Sequence, residues 1–332
     1  MNNTQDEYDV MNARVEEAAD IVVDLKTQFI PHSNFFNFEK RVISVMADRE
    51  RSLRAGHYDL EGACLVGSSG SGKSTLMNRI ISDYNARAAA NSKLQFGNKI
   101  VSVVVPSGAG IKETYLAILK ATNGYDIIKT RTEDYLKSRV IEALEEERVA
   151  GVYLDEFQDL GRLKSTNAMK GFATSFRHLM QTNPWPVCLI ITGTTDMKSI
   201  INAVPTFARR LEPQEFRPML DAESELVVRA IKDFTQRVGI KLSKSLWEED
   251  EFLARLIHAG CAVFGLTISM VIAAIREAVL DEPVPSKRVL RYIHFIRAYD
   301  TKTDADEEFN PFLAKDWSSI DTRKLMTRKH DE

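Results

Sequence analysis

One octapeptide constrains this chain more than any other feature. Gly67-Ser68-Ser69-Gly70-Ser71-Gly72-Lys73-Ser74 satisfies GxxxxGK[ST] at every position. It follows the short apolar run Ala63–Val66 and precedes a helical pattern from Lys73 to about Ala88, the strand–loop–helix context the motif requires. Its glycines permit backbone conformations that turn several N–H groups inward toward phosphate oxygens. The following helix N-terminus adds positive potential. Lys73 is expected to reach the β- and γ-phosphates and the Ser74 hydroxyl to ligate magnesium. Gly67, Ser68, Gly70, Ser71, Gly72, Lys73, Ser74 and Thr75 are the candidate nucleotide contacts.

A fold that presents such a loop alternates strands with helices, and the sequence does so. Ile100–Val105, Val152–Leu154 and Val187–Thr192 are apolar β-type runs, and Gln214–Arg217 is a last short candidate. Helical patterns lie between them over Ile111–Ala121 and around Leu136, Val140, Ile141 and Leu144. Strands separated by helices predict a parallel five-stranded sheet covered on both faces, an α/β fold. After Pro218 the strands stop. Leu226–Val238, Ser245–His258, Leu266–Leu280 and Lys287–Tyr299 read as amphipathic helices of a small all-helical second domain. The expected organisation is a helical extension over 1–55, a nucleotide-binding core over 56–220, a helical domain over 221–300 and a charged, extended tail over 301–332.

The 332 residues carry 44 Lys plus Arg against 47 Asp plus Glu, a net charge of −3. That balance excludes coating nucleic acid by bulk charge, but not a localised basic stripe. Three dispersed cysteines without a CxxC pair exclude a disulfide framework and a zinc ribbon, and fit a reducing cytosol. Met1–Asp20 lacks the basic start and apolar stretch of a signal peptide, and no apolar run approaches the ~18 residues of a membrane span. A cytoplasmic location without membrane contact is expected.

The second chemical signal is Gly151-Val-Tyr-Leu-Asp155-Glu156, an apolar strand ending in two acids. Ligands of open α/β sheets bind at such strand ends. Asp155 is expected to hold magnesium through water, and Glu156 to polarise the attacking water. The paired acids favour ATP over GTP hydrolysis, and no NKxD-type base reader is present. The next strand ends in Thr192-Gly-Thr194-Thr195. Thr194, then Thr195, is the candidate for contacting the γ-phosphate or lytic water. Arg209 and Arg210 precede the last strand, where arginines can face a neighbouring subunit's nucleotide and offset charge developing on its γ-phosphate. Arg210 is preferred because it directly precedes the apolar Leu211.

With these residues in place the chain resembles an AAA+ ATPase: phosphate loop, acidic strand, threonine-tipped strand, late arginine pair and helical lid. Within that superfamily it resembles the TniB/TnsC ATPases of transposition, relatives of MuB. Phe29-Ile-Pro-His32, Val105-Pro-Ser107, Leu189–Thr194 and Asn310-Pro-Phe312 carry that resemblance, which spans about 28–315. Gln158 and Asp159 stand where the family often has a histidine, and Leu266–Met270 lacks the lid arginine of many AAA+ proteins, with Arg276 two turns later. The missing lid arginine makes slow hydrolysis the expectation. The resemblance implies a magnesium-dependent ATPase of a bacterial cytoplasm, nucleoid-associated when bound to DNA. It implies self-association into a ring or helical filament on double-stranded target DNA, with no choice of sequence. It also implies partnership with a DDE transposase and a target selector of the TniQ kind. Lys112, Lys129, Arg131, Arg162 and Lys164 would then be the phosphate-backbone contacts, since their segments share one expected edge of the sheet. The alternative is a P-loop ATPase that remodels or loads a protein partner with no DNA role.

Overall fold

The computed structural model describes residues 2–91, 93–123, 131–162, 166–211, 213–219 and 223–328. It divides into two compact units, residues 31–216 and residues 1–30 with 217–332.

The first unit opens with α2 (Ser33–Arg54), the second helix of the chain after α1 (Asn2–Thr27). It continues through β1 (Ala63–Val66), α3 (Lys73–Ala89), β2 (Lys99–Val104), α4 (Ile111–Asn123), α5 (Glu133–Glu146) and β3 (Val149–Asp155). It closes with α6 (Thr166–Leu179), β4 (Cys188–Gly193), α7 (Met197–Asn202), α8 (Pro205–Ala208) and β5 (Pro213–Glu215). All five strands are parallel, in the order β2-β3-β4-β1-β5. The three inner strands are buried at every position, as helices on both faces demand. The edge strand β2 leaves Ser102 and Val104 exposed. Register matters more than order here. Val66 pairs with Gly193, Leu154 with Ile191 and Val104 with Asp155. The C-terminal tips of β1, β3 and β4 therefore converge, and these tips carry the motifs.

Helix α6 has no counterpart in the sequence reading, although Phe172, Ala173, Phe176 and Leu179 make its buried stripe. It is fixed by an aromatic ladder. Phe157 meets Phe172 edge-on, Phe172 stacks on Phe176 at 4.2 Å, and Phe176 stacks on Tyr115 of α4. Helix α2 belongs to this unit because it packs on β1 and β4. Its Arg49 is 1 % exposed, donates to the Pro186 carbonyl at 2.8 Å and to that of Phe96, and lies over the Trp185 ring.

The second unit holds α1, α9 (Ser224–Arg237), β6 (Lys241–Leu242), α10 (Phe252–Ala259), α11 (Phe264–Asp281), β7 (Val289–Leu290) and α12 (Tyr292–Thr303). The expected all-helical domain thus contains one two-residue parallel strand pair, β6–β7, and the helix expected from Lys287 begins at Tyr292. Helix α1 joins it from the far end of the sequence. Ala18 and Leu25 are fully buried in its core. Glu17 accepts two 2.7 Å hydrogen bonds from Arg288, and Asp24 is similarly forked by Arg237 at 2.6 and 2.7 Å. The four-segment organisation expected from composition therefore differs from the packing. Residues 1–55 split between the two units.

The tail differs as well. It was expected to be extended, yet it folds onto α10 and α12. Asn310 is fully buried and donates to Asp300 at 2.7 Å and to the Ile296 carbonyl, while accepting from the Phe312 N–H. That turn inserts Phe312 among Tyr292, Phe295 and Tyr299. Trp317 packs on His258 and Arg255 and donates to Glu251. A few apolar residues spaced along a charged segment suffice once a buried amide fixes the turn. No single described helix is long and apolar enough to cross a membrane.

Candidate active site

The phosphate loop leaves β1 and turns into α3 with Gly70 at φ 74° and Gly72 at φ 91°, a region that disfavours side chains. Gly67 is needed for space: a Cβ there would lie 3.0 Å from Phe216 Cβ and 3.1 Å from Ser71 Oγ. The Gly67 N–H donates to the Gly193 carbonyl at 3.1 Å, so the loop is tied to the tip of β4. The loop curls around its own lysine. Lys73 Nζ donates to the carbonyls of Gly67 and Ser68, both at 2.9 Å, and more weakly to Ser71 Oγ. Burial pulls the Lys73 ammonium below its usual pKa range, and the charges of Glu156 and Asp155 oppose that pull. Ser74 is half-buried in the first turn of α3, and Thr75 is exposed.

Asp155 ends β3 only 7 % exposed. Its Oδ1 accepts from the Thr192 hydroxyl at 2.6 Å and from the Glu156 N–H at 3.0 Å. Glu156 is exposed and sits at φ 55°, a left-handed conformation that turns the chain sharply out of the strand. Strain of this kind persists where surrounding bonds fix it, and it concentrates at functional sites.

Gln158 was noted in the sequence only as a departure from the family pattern, and the structure gives it two bonds. Its Nε2 donates to Glu156 Oε2, and its Oε1 accepts from the Thr194 N–H at 3.0 Å. One amide thus joins the acid of β3 to the threonine tip of β4. Gly193 makes room for it, since a Cβ there would lie 2.4 Å from Gln158 Oε1. The Thr194 hydroxyl is buried without a partner among the described residues, whereas Thr195 is exposed. An orphaned hydroxyl at a strand tip beside a phosphate loop is the arrangement a bound phosphate oxygen would satisfy. A second feature escaped the sequence: His32 meets Phe216 edge-on at 5.5 Å, placing an aromatic pair beside Gly67.

Among the described residues no group of three His, Cys, Asp or Glu could cage a metal. Magnesium beside a polyphosphate needs no cage, because it takes one or two carboxylates with phosphate and water oxygens. Ser74 at the helix start and Asp155, whose carboxylate ends β3 with Oδ1 anchored, fit that requirement.

The two arginines differ in their surroundings. Arg210 is engaged within its own chain: Nε donates to Asp59 at 3.1 Å and Nη1 to the Thr206 carbonyl at 2.7 Å. Arg210 hydrogen bonding holds the Asp59 carboxyl below its usual range. Arg209 is exposed and pairs with no acid among the described residues. Both arginines precede β5, and Asp59 precedes β1, so they lie at the opposite end of the parallel sheet from the phosphate loop.

Of the candidate DNA contacts, Lys112 is exposed in the first turn of α4, and Arg131 is exposed over the Tyr135 ring at 5.0 Å. Tyr115, one turn beyond Lys112, feels the charges of Glu133 and Asp134. The first turns of α4 and α5 are therefore neighbours. Lys129 and Lys164 lie outside the described residues. Arg162 ends a 3-10 turn over Phe157–Arg162 that follows β3.

A family model described as bacterial TniB protein matches residues 28–220. Among solved structures, the ORC1 protein of Aeropyrum pernix in complex with DNA superposes with a TM-score of 0.59 at 14 % identity, over 87 % of this chain and 69 % of that one. Cdc6p from Pyrobaculum aerophilum gives 0.56 at 11 % identity, over 83 % and 68 %. The ORC2 protein of Aeropyrum pernix, in its ADPNP–ADP complexes, gives 0.54 at 13 % identity, over 81 % and 69 %. At such identities the likeness is one of fold, that of AAA+ P-loop ATPases. No curated protein matches the sequence significantly.

Proposed function

The chain belongs to the bacterial TniB family, and from that premise we propose that it is an ATP-switched regulator of DNA transposition. In this reading it assembles on double-stranded DNA of any sequence and links target choice to a DDE transposase, with a TniQ-like selector as a further partner. It works in the bacterial cytoplasm, on the nucleoid. The observation that carries the proposal is the convergence of Lys73, Asp155, Glu156 and Thr194 on one end of the sheet, tied together through Gln158 and the Gly67–Gly193 bond.

The residues divide the work of hydrolysis. Lys73 exchanges its bonds to the loop carbonyls for the β- and γ-phosphates of ATP, whose charge restores the proton affinity that burial lowers. The backbone N–H groups of 67–75 follow the phosphate chain, and the His32–Phe216 pair offers an aromatic flank to the base. Ser74 and Asp155 would hold magnesium, Asp155 through water. When bound, magnesium neutralises charge on the β- and γ-oxygens. Glu156 takes the proton from the attacking water, and the Thr194 hydroxyl donates to the γ-phosphate. Charge developing there is met by an arginine from a neighbouring subunit, since Arg209 and Arg210 lie beyond reach of their own phosphate loop. Arg209 is the side chain free to reach out, and Arg210 anchors the segment on Asp59.

Lys112 and Arg131, on adjoining helix starts, are the described candidates for phosphate-backbone contact; Lys129, Arg162 and Lys164 belong to the same proposal. Such contacts confer affinity without sequence choice and weaken with salt. Filter binding to random duplex DNA tests the proposal. Retention that requires ATP, falls steeply with salt and ignores sequence is the expected result. Absence of retention with ATP would shift the reading to an ATPase that remodels or loads a protein partner.

A further inference from the structure

Strands β3 and β4 are apolar inward and outward, with two exceptions beneath the site. Tyr153 is 1 % exposed and Thr192 is fully buried, among Val152, Leu154, Ile190 and Ile191. Side chains two apart on a strand share a face, so Tyr153 and Asp155 point the same way. Leu154 pairs with Ile191, so the next residues along, Asp155 and Thr192, stand side by side. The parallel register thus places a phenol, a hydroxyl and a carboxylate on one face. Tyr153 Oη lies 2.8 Å from Thr192 Oγ1, which lies 2.6 Å from Asp155 Oδ1.

The direction of these bonds follows from proton counting. An ionised carboxylate only accepts, so Thr192 donates to Asp155. A hydroxyl has one proton to give, so Tyr153 must donate to Thr192. The 2.6 Å separation is that of a charge-assisted bond. With the Glu156 N–H also on Oδ1, one oxygen of Asp155 is committed twice and the carboxylate plane is fixed. Apolar residues of similar shape would fill 153 and 192 equally well if packing were the only demand.

We propose that Thr192 and Tyr153 are positioning residues that fix the Asp155 carboxylate at the tip of β3, and so set the magnesium affinity of the nucleotide site. The proposal rests on the reading of Asp155 as the acid that holds magnesium. Ligands that orient metal-bound or water-bridged groups are themselves held by outer hydrogen bonds, whose loss costs ~10–100-fold in metal affinity.

The test is a magnesium titration of fluorescent ADP binding to the full chain, with nucleotide affinity in EDTA and the melting temperature measured alongside. Thr192→Val is expected to raise the magnesium midpoint at least about tenfold while leaving affinity in EDTA unchanged. Thr192→Ser restores the wild-type midpoint, because it keeps the donor. Tyr153→Phe shifts the midpoint the same way but less, since Thr192 still donates. A purely structural role would lower the melting temperature without moving the midpoint. An unmoved midpoint in Thr192→Val, with Asp155→Asn shifted, overturns the relay alone. An unmoved midpoint in Asp155→Asn overturns the magnesium reading of Asp155 and the relay with it. If Thr192→Val does not fold, an unmoved midpoint in Tyr153→Phe overturns the proposal.

Discussion

Arg210 and Asp59 are locked together within one chain, the guanidinium donating from Nε at 3.1 Å and from Nη2 to the same oxygen. Gln181 adds a third bond to that oxygen at 2.9 Å. An arginine so engaged is poorly placed to serve a neighbour, whereas the adjacent Arg209 is exposed. Arg209→Ala is therefore expected to reduce ATP turnover by ~10³-fold or more, the usual worth of an arginine finger. Arg210→Ala and Asp59→Ala should each cost about 1 kcal/mol of stability, since the pair has one exposed partner. Mixing Arg209→Ala with Lys73→Ala subunits should restore activity, because the second variant still lends its arginine. A mixture that stays inactive while mixed oligomers form rejects Arg209. Restoration from Arg210→Ala and Lys73→Ala alone would reinstate Arg210.

Gln158 makes a separable prediction. Gln158→Ala should lower kcat ~10–100-fold with a smaller effect on ATP affinity, since it disturbs the aim of Glu156 and loosens the Thr194 tip. Gly193→Ala should do the same by another route: its Cβ would lie 2.4 Å from Gln158 Oε1 and 2.7 Å from Met197 Sδ. Glu156→Gln should bind ATP, stop turnover and accumulate on DNA. Rapid phosphate release from Glu156→Gln would remove the catalytic role from that residue.

Phe312 is 4 % exposed and wedged among three aromatic rings of the second unit. Phe312→Ala should cost ~3–5 kcal/mol of that unit's stability, as large-to-small changes in cores do. Asn310→Ala should also destabilise, because it strands the Phe312 N–H in the core. Urea denaturation followed by tryptophan fluorescence reports both, since Trp317 packs beside His258 in the same unit.

The Glu17–Arg288 pair gives a dependence on pH. Hydrogen bonding from Arg288 holds the Glu17 carboxyl below its ordinary 4.5, with burial opposing. A depressed carboxyl stabilises the folded state in full above its ordinary value, and that contribution is lost as pH falls through the lower folded value. Wild type should therefore exceed Glu17→Gln by a constant margin above about pH 5, and the margin should shrink as pH falls below that. Arg288, 2 % exposed, loses its carboxylate partner as Glu17 takes up a proton. Equal melting temperatures at neutral pH would show that the pair contributes nothing.

Elements whose partners are near in sequence, or whose chemistry is encoded in spacing, were legible without coordinates. The Lys73 loop, the Asp155–Glu156 strand end and the inner strands belong here, because buried parallel strands read as continuous apolar runs. What escaped depends on distant partners. Nothing local in Arg210 announces Asp59, 151 positions earlier. Gln158 looks like any turn residue until β4 is brought beside it. The tail reads as solvated because its charges outnumber Phe309, Phe312 and Trp317, and only the buried Asn310 turn shows how so few rings can be anchored. Helix α1 reads correctly as a helix, but its amphipathic pattern does not say which unit takes the apolar face.

That last feature bears on how the chain is made. Helix α1 is made well before its partners, since Glu17 bonds to a residue 271 positions later. At ~5–20 residues per second, the interval between their synthesis is roughly 15–50 s. Throughout it the nucleotide-binding unit can fold and close around its own sheet while Ala18 and Leu25 stay uncovered. The apolar face of α1 is therefore covered only after α9 to α12 have been made, so the core of the second unit closes late although one of its helices is early.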